Sequence, residues 1–185
     1  MGFFKDIGLD VHAHALATLF IKLREEQFSC ILNNVEQVAG EQVRADRRNL
    51  RGEADLSLKA FQYLKLMTFA KQHGYVAPKD FDKFNGMAMK HGWNNEREAV
   101  SELMREFATY QDNPVEQVVH VAIPIADYML DGRKDPRVWT VIGPTLSAFS
   151  IQTEIMIANE FGDQQTAHES QIQLEVLCQA FEGRG

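Results

Sequence analysis

Apolar residues recur every three to four positions along the first forty residues of the chain, with polar residues between them. Those that lie on or near one helical stripe are Leu16, Phe20, Leu23, Ile31, Val35 and Val38. Neither Gly nor Pro, the strongest breakers of regular structure, occurs between Gly8 and Gly40. The pattern therefore predicts an α-helix over residues 10–39.

The predicted first helix is long for the domain that carries it. About 30 residues span ~45 Å at the rise of an α-helix, whereas a compact globule of this chain length has a diameter of roughly 40 Å. The helix is therefore expected to cross the whole domain or to project from it. Its apolar stripe is predicted to lie in an interface, and a homodimer is the simplest way to cover that stripe.

Further windows without Gly or Pro have helical lengths. They cover residues 53–73, 93–113, 145–161 and 163–182. Together with the first helix they predict an all-α fold, a single-domain bundle of six to eight helices over residues 1–185 with a long N-terminal helix. The most apolar segment, residues 138–161, is predicted to be a buried central helix.

Several residues are predicted to interrupt or bound these helices. Pro124 is expected to kink or break one helix, and Gly143-Pro144 is expected to break another. Two β-favouring runs, at residues 118–123 and 138–142, leave a short hairpin as an alternative.

Two similar segments predict two helix ends. His73-Gly74-Tyr75 and His91-Gly92-Trp93 each place His in a last helical turn and Gly at the left-handed C′ position that follows. Asn94 or Asn95 is predicted to cap the next helix, with Glu98 completing a near capping box. Asn113 and Asp135, each followed by Pro, are predicted to be N-caps as well.

Charge and cysteine content narrow the functional classes. The formal net charge of −7 argues against a general nucleic-acid binder, which needs clustered Lys and Arg. Cys30 and Cys178 lie on helical patterns and are expected to be small apolar side chains in a reducing compartment. The segment 138–161 is interrupted by Glu154 and Glu160 as well as by Gly and Pro, so no membrane span is expected. These features favour a cytoplasmic protein.

Two pairs of side chains have a spacing that metal sites use. Asp10 and His14 are four residues apart on one predicted helix, and Glu116 and His120 are four residues apart on another. Each pair shares a helix face, and two such pairs on facing helices could bind zinc or another first-row metal. The more ordinary interpretation is that these histidines are satisfied surface or interfacial residues, and no cofactor is predicted.

Three sets of residues are candidates for binding a partner. Arg44, Arg47, Arg48 and Arg51 form the one local basic excess, which would suit an acidic or phosphorylated partner. Glu96, Glu98, Glu102 and Glu106 form an acidic face, which would suit a basic partner. Trp93 is a candidate surface anchor, because exposed aromatic residues are favoured at interfaces. The acidic net charge favours the basic partner.

No motif for nucleophilic catalysis or for phosphate binding occurs in the chain. The predicted function is therefore a non-enzymatic, protein-binding role of a regulatory, adaptor, inhibitor or immunity type. The alternative is a small helical-bundle enzyme or small-molecule-binding protein that holds a metal or an organic cofactor between helices.

Overall fold

Seven α-helices make up most of the part of the chain that the structure describes. The structure is a computed structural model that describes residues 2–182, with the side chains of residues 6–181. The helices are α1 (Gly2–Ala39), α2 (Gly52–Gln72), α3 (Phe81–Gly92), α4 (Arg97–Ala108), α5 (Pro114–Leu130), α6 (Pro136–Glu160) and α7 (Gln164–Glu182). This architecture confirms the predicted all-α bundle with a long N-terminal helix. Both β-favouring runs are helical, so the alternative hairpin does not form.

The centre of the bundle is α2. It packs against α1, α4, α5 and α6, and 13 of its 21 residues are buried. In addition, α1 packs against α3 and α6, and α7 packs against α6. Helix α6 likewise packs against four helices, α1, α2, α5 and α7, but only 8 of its 25 residues are buried. Residues 138–161 are therefore surrounded by other helices as predicted, while their burial is only partial.

The apolar stripe of α1 is covered within the chain. Leu16, Phe20 and Ile31 are completely buried, because α3 and α6 pack along α1. The helix also begins before the predicted boundary, since Gly8 lies within it. The predicted stripe therefore needs no second subunit to cover it, although the homodimer itself stays a prediction.

Neither internal proline ends its helix. Both α5 and α6 continue through Pro124 and Pro144 respectively, so the break predicted at Gly143-Pro144 is wrong. A proline inside a helix removes one backbone hydrogen bond. Ile142 and Leu146, on either side of Pro144, are completely buried, and their packing holds the two halves of α6 in one helix.

The predicted N-caps have mixed outcomes. The side chain of Asn113 accepts a hydrogen bond from the Glu116 backbone N–H (3.3 Å), and Asp135 Oδ1 accepts one from the Arg137 N–H (3.0 Å), as predicted. The cap predicted at Asn94 or Asn95 is wrong. A 3₁₀ turn, Asn94–Glu96, precedes α4, and no side chain caps either element.

The two similar helix ends are built differently. Gly74 has a φ of 66°, its N–H donates to the Lys71 carbonyl, and the Tyr75 N–H donates to the Ala70 carbonyl. This pair of hydrogen bonds is the Schellman motif, so the prediction for Gly74 is confirmed.

The prediction for Gly92 is wrong, because this residue is the last of α3 and has no positive φ. Glycine is required there by close packing. A Cβ on Gly92 would lie 1.8 Å from the hydroxyl oxygen of Tyr63 on α2.

Candidate functional site

The four arginines between α1 and α2 all have partners within the chain. Arg44 and Arg47 lie 3.6 and 3.5 Å from Asp131, in the turn between α5 and α6. Arg48 lies 3.1 Å from Glu36. Arg51 donates to the Tyr128 hydroxyl (3.3 Å) and to the Asp46 carbonyl oxygen. These ion pairs and hydrogen bonds therefore hold the segment between α1 and α2 against the bundle.

The four predicted acidic residues do not form one uniform surface. Glu96 is half-buried and pairs with Lys59 of α2. Glu106 lies 3.6 Å from His120 of α5. Glu98 and Glu102 are exposed on α4. Glu96 is thus engaged by a buried lysine of the bundle, while the other three are exposed.

The two predicted metal pairs lie at separate places. Asp10 accepts a hydrogen bond from His91 of α3 (2.8 Å), and this bond holds the pKa of Asp10 below its usual value. The ring of His14 contacts His91 edge-on, with 5.0 Å between centroids.

On α5, Glu116 accepts a hydrogen bond from Asn113, while His120 stacks on Tyr110 at 3.8 Å. Within the described residues no three His, Cys, Asp or Glu side chains are placed to hold a metal ion. The four predicted ligands are therefore not assembled into one site.

Trp93 is a core residue and not a surface anchor. Its exposed fraction is 4%, and its ring stacks on Tyr63 with 5.0 Å between centroids. Burial raises the pKa of Tyr63 to about 12. The Trp93 indole nitrogen and the Tyr63 hydroxyl are both buried without a hydrogen-bond partner.

The cysteines also differ from the expectation. Cys30 and Cys178 are both free and exposed. Each lies on the outer side of its helix, so neither fills the core as a small apolar residue.

A buried polar network was not predicted. Arg24 of α1 donates to Asp55 (3.0 Å) and to Gln62 (2.9 Å), both on α2. Lys59 contacts the other oxygen of Asp55 at 3.1 Å and also pairs with Glu96. Two signals could have indicated this network. Arg24 follows Phe20 by four residues on the apolar stripe, and Asp55, Lys59 and Gln62 share one face of α2.

A continuous apolar surface runs along α5 and α6. Val115, Val119 and Ile123 repeat every four residues and are all exposed, as is Trp139 at the start of α6. These four residues are called the outer face here. Ile123 and Trp139 line a cleft of about 440 Å³. At the opposite end, Val115 lines a second cleft of about 330 Å³ that reaches α6 and α7.

Helix α6, which contributes Trp139 to the outer face, is strongly apolar although few of its residues are buried. Only 8 of the 25 residues of α6 are buried. In the described part of the chain, α6 is the one helix whose length and composition would allow it to cross a membrane, and 39% of its most apolar window is buried. One side of α6 is therefore left partly uncovered.

No protein-family model, no curated protein and no solved structure matches the chain.

Proposed function

We propose that this chain is a non-enzymatic protein-binding protein, and that its partner presents a basic, amphipathic helix to the outer face. The observation that carries the proposal is the row of exposed apolar residues on α5, continued by Trp139 on α6. Val115 is 76% exposed, and Val119, Ile123 and Trp139 are 43%, 39% and 39% exposed. Contiguous apolar surface of this kind is typical of interaction sites.

The shape of the outer face suits a helical partner. Each of its two clefts is lined by residues of both α5 and α6, which are successive helices joined by a short turn. The line from one cleft to the other, along the contact between α5 and α6, is called the groove here. An amphipathic helix lays its apolar side into such a groove, with anchors spaced every three or four residues. Ile123 and Trp139 would receive one anchor and Val115 another.

The charges beside the outer face favour a basic partner. Glu116 and Asp127 are exposed on α5, beside the apolar row, and Glu106 of α4 approaches α5 at His120. The whole chain has a net charge of −7, which attracts a basic partner from a distance. Arg133 and Lys134 stand beside Trp139. We therefore expect the most basic end of the partner helix to lie at the Glu116 end of the groove.

The proposal is tested with three labelled peptides of about 18 residues, long enough for five helical turns. The first carries an apolar stripe of Leu and a polar side of Lys; the second replaces Lys by Glu; the third scrambles the order of the first. Fluorescence anisotropy should show binding of the first peptide alone. Equal binding of the Glu peptide, or of the scrambled peptide, would contradict a site for a basic amphipathic helix.

Matched variants locate the site. Ile123→Gln should weaken binding of the Lys peptide about tenfold, because it removes an apolar anchor. Ile21→Gln on α1 is the control, since Ile21 is similarly exposed and lies on another helix. Equal losses in the two variants would place binding elsewhere.

The contribution of acidic residues to peptide binding is tested with a separate pair of double variants. Glu116→Gln with Asp127→Asn should weaken binding several-fold and reduce its dependence on salt. Glu25→Gln with Glu41→Gln removes the same number of exposed charges away from the face and should have a smaller effect. Sedimentation of the protein alone tests whether a second copy of the chain occupies the groove. A dimer that Ile123→Gln dissociates would show that it does, which contradicts the proposal.

A further inference from the structure

A third cleft, separate from the two at the outer face, lies between α3 and α4 on the side of Trp93. Its volume is about 370 Å³, which is within the range of small-molecule sites. Its lining combines apolar side chains with hydrogen-bond donors. The residues that line it are Leu64, Asn85, Met89, Trp93, Arg97, Ser101, Met104, Arg105 and Ala108. We propose that this cleft binds a small molecule that carries a carboxylate on an apolar body.

The polar side of the cleft is a row of donors on α4. Arg97, Ser101 and Arg105 follow each other at intervals of four residues, so they lie along one face of the helix. Asn85 of α3 stands opposite. Guanidinium groups match the planar geometry of a carboxylate and can donate two hydrogen bonds to it.

The two arginines of this row differ from most other arginines of the chain. Arg24, Arg44, Arg47, Arg48 and Arg137 each have a carboxylate within 4.0 Å. In the described part of the chain, Arg97 and Arg105 have none, and the one hydrogen bond of Arg105 goes to the Ser101 carbonyl of its own helix. Two guanidinium groups without counter-ions therefore border one cleft, in a chain with an excess of acidic residues.

Trp93 supplies an independent observation. It lines the cleft, its exposed fraction is 4%, and its indole N–H has no acceptor. A buried N–H without a partner is rare in folded proteins. The indole nitrogen is closed to solvent, so a carboxylate oxygen at the Trp93 end of the cleft would reach this donor only with a small movement of the side chains around it.

The apolar side chains of the cleft favour a ligand with a hydrocarbon part over a bare inorganic anion. Leu64, Met89 and Met104 come from three different helices and would contact the hydrocarbon part of a ligand. Methionine side chains adapt their shape, so they accommodate bodies of different outline. This proposal does not rest on the proposed protein-binding function, because the outer face lies on other helices.

The test uses the fluorescence of Trp93. The chain has two tryptophans, so Trp139→Phe leaves Trp93 as the single reporter without touching the cleft. Octanoate is the probe, octanol supplies the same apolar body without charge, and inorganic phosphate supplies charge without the body. Octanoate should change the Trp93 emission saturably, and isothermal titration calorimetry should give the same affinity. Octanol and phosphate should bind at least tenfold more weakly.

Arginine variants complete the test. Arg97→Gln and Arg105→Gln should each weaken octanoate binding about tenfold. Arg133→Gln is the matched control, because Arg133 is also exposed, has no carboxylate within 4.0 Å in the described residues, and lines a different cleft. Binding of the Lys peptide to the outer face should be unaffected by Arg97→Gln and Arg105→Gln.

Four results would overturn the proposal. Octanol binding as well as octanoate would show an apolar cleft without carboxylate recognition, and phosphate binding as well as octanoate would show a simple anion site. An equal loss in Arg133→Gln would show an effect of overall charge. The absence of a signal by both fluorescence and calorimetry would show that the cleft does not bind this class of ligand.

Discussion

The strongly buried helix α2 and the less buried helix α6 have compositions that suggest the opposite degrees of burial. The sequence of α2 contains Asp55, Ser57, Lys59 and Gln62, yet 13 of its 21 residues are buried. The sequence of α6 is apolar enough to cross a membrane, yet only 8 of its 25 residues are buried. Each of the two helices packs against four others, so the burial of a helix in this bundle follows neither from the number of its neighbours nor from its mean hydropathy.

The polar residues of α2 are tolerated because each has a partner on a facing helix. Ser57 donates to the Val121 carbonyl oxygen of α5 at 2.8 Å, and Gln62 accepts from Arg24 of α1. A buried polar group with a partner costs little, whereas the same group without one is expensive. The position of α2 thus depends on partners from α1, from α5 and from the turn before α4, whereas α6 has fewer buried residues.

The largest expected effect comes from breaking the network that keeps α2 in place. Asp55→Asn removes the carboxylate that both Arg24 and Lys59 contact, and these two cations are nearly inaccessible to water. Removing one partner of a buried ion pair typically costs 3–5 kcal/mol. Because Asp55 itself is partly exposed, we expect a loss of about 3 kcal/mol in the free energy of unfolding, measured by urea denaturation.

Asp131→Asn is the matched control for this prediction. Asp131 also lies between two cations, Arg44 and Arg47, but at the surface. Its φ of 54° is a left-handed conformation that Asn tolerates as well as Asp does. The expected change is below about 1 kcal/mol, since exposed ion pairs contribute little. Similar losses in the two variants would show that burial of the network around α2 is unimportant.

The second prediction tests how tightly the neighbours of α2 are packed. Gly92→Ala places a Cβ against the Tyr63 ring of α2, so we expect a loss of about 2 kcal/mol from overpacking. Gly86→Ala in the same helix meets nothing within 4 Å and should stabilise by about 0.5–1 kcal/mol. Opposite signs of the shift in Tm are the expected result. If Gly92→Ala leaves the Tm unchanged, the Tyr63 ring is free to move away from the added Cβ.

The third prediction concerns the start of α6, which a charged cap stabilises, whereas no side chain caps α2. Hydrogen bonds from Arg137 lower the pKa of Asp135 to about 2. A lowered carboxyl pKa means that the ionised form stabilises the folded state. This stabilisation is complete above the unfolded pKa of about 4 and disappears as the pH falls through about 2.

Asp135→Asn should therefore lower the Tm at neutral pH, and the difference from the unchanged protein should shrink as the pH falls from about 5 towards 2. Thermal denaturation followed by circular dichroism measures this difference. Asp127→Asn is the control, because Asp127 is exposed on α5 and only its backbone carbonyl, which the substitution keeps, takes part in a cap. A difference that stays constant over this pH range would show that the charge of Asp135 does not matter.

Most of the helix-end features that depend on neighbouring residues were predictable from the sequence, the cap at Asn94 or Asn95 excepted, and features that depend on distant residues were not. The caps at Asn113 and Asp135 and the Schellman motif at Gly74 involve residues within a few positions, and all three were predicted correctly. Gly92 differs because its constraint is Tyr63, which lies 29 residues earlier in the chain and on another helix. Similar local sequences therefore ended two helices for different reasons.

The candidate sites follow the same rule. The arginines between α1 and α2 form a local basic excess, but their acidic partners, such as Glu36 and Asp131, come from other elements. The sequence indicated the donors and not the acceptors. Conversely, Arg97 and Arg105 were overlooked beside the glutamates of α4, because only the three-dimensional structure shows which arginines lack partners and share a cleft.

The smallest expected effect on stability is at the outer face, where a substitution should cost far less than one in the buried part of α2. Ile123→Gln replaces an apolar residue by a polar one at a position that is still accessible to water, so the free energy of unfolding should change by less than about 0.5 kcal/mol. In α2, Leu58→Ala should cost about 2–5 kcal/mol, since Leu58 is completely buried and no neighbour can fill the space fully. Urea denaturation of both variants measures the contrast. A loss above about 1 kcal/mol for Ile123→Gln would mean that the outer face is already covered within the isolated chain, and that the groove between α5 and α6 is part of the core and not a surface for a partner.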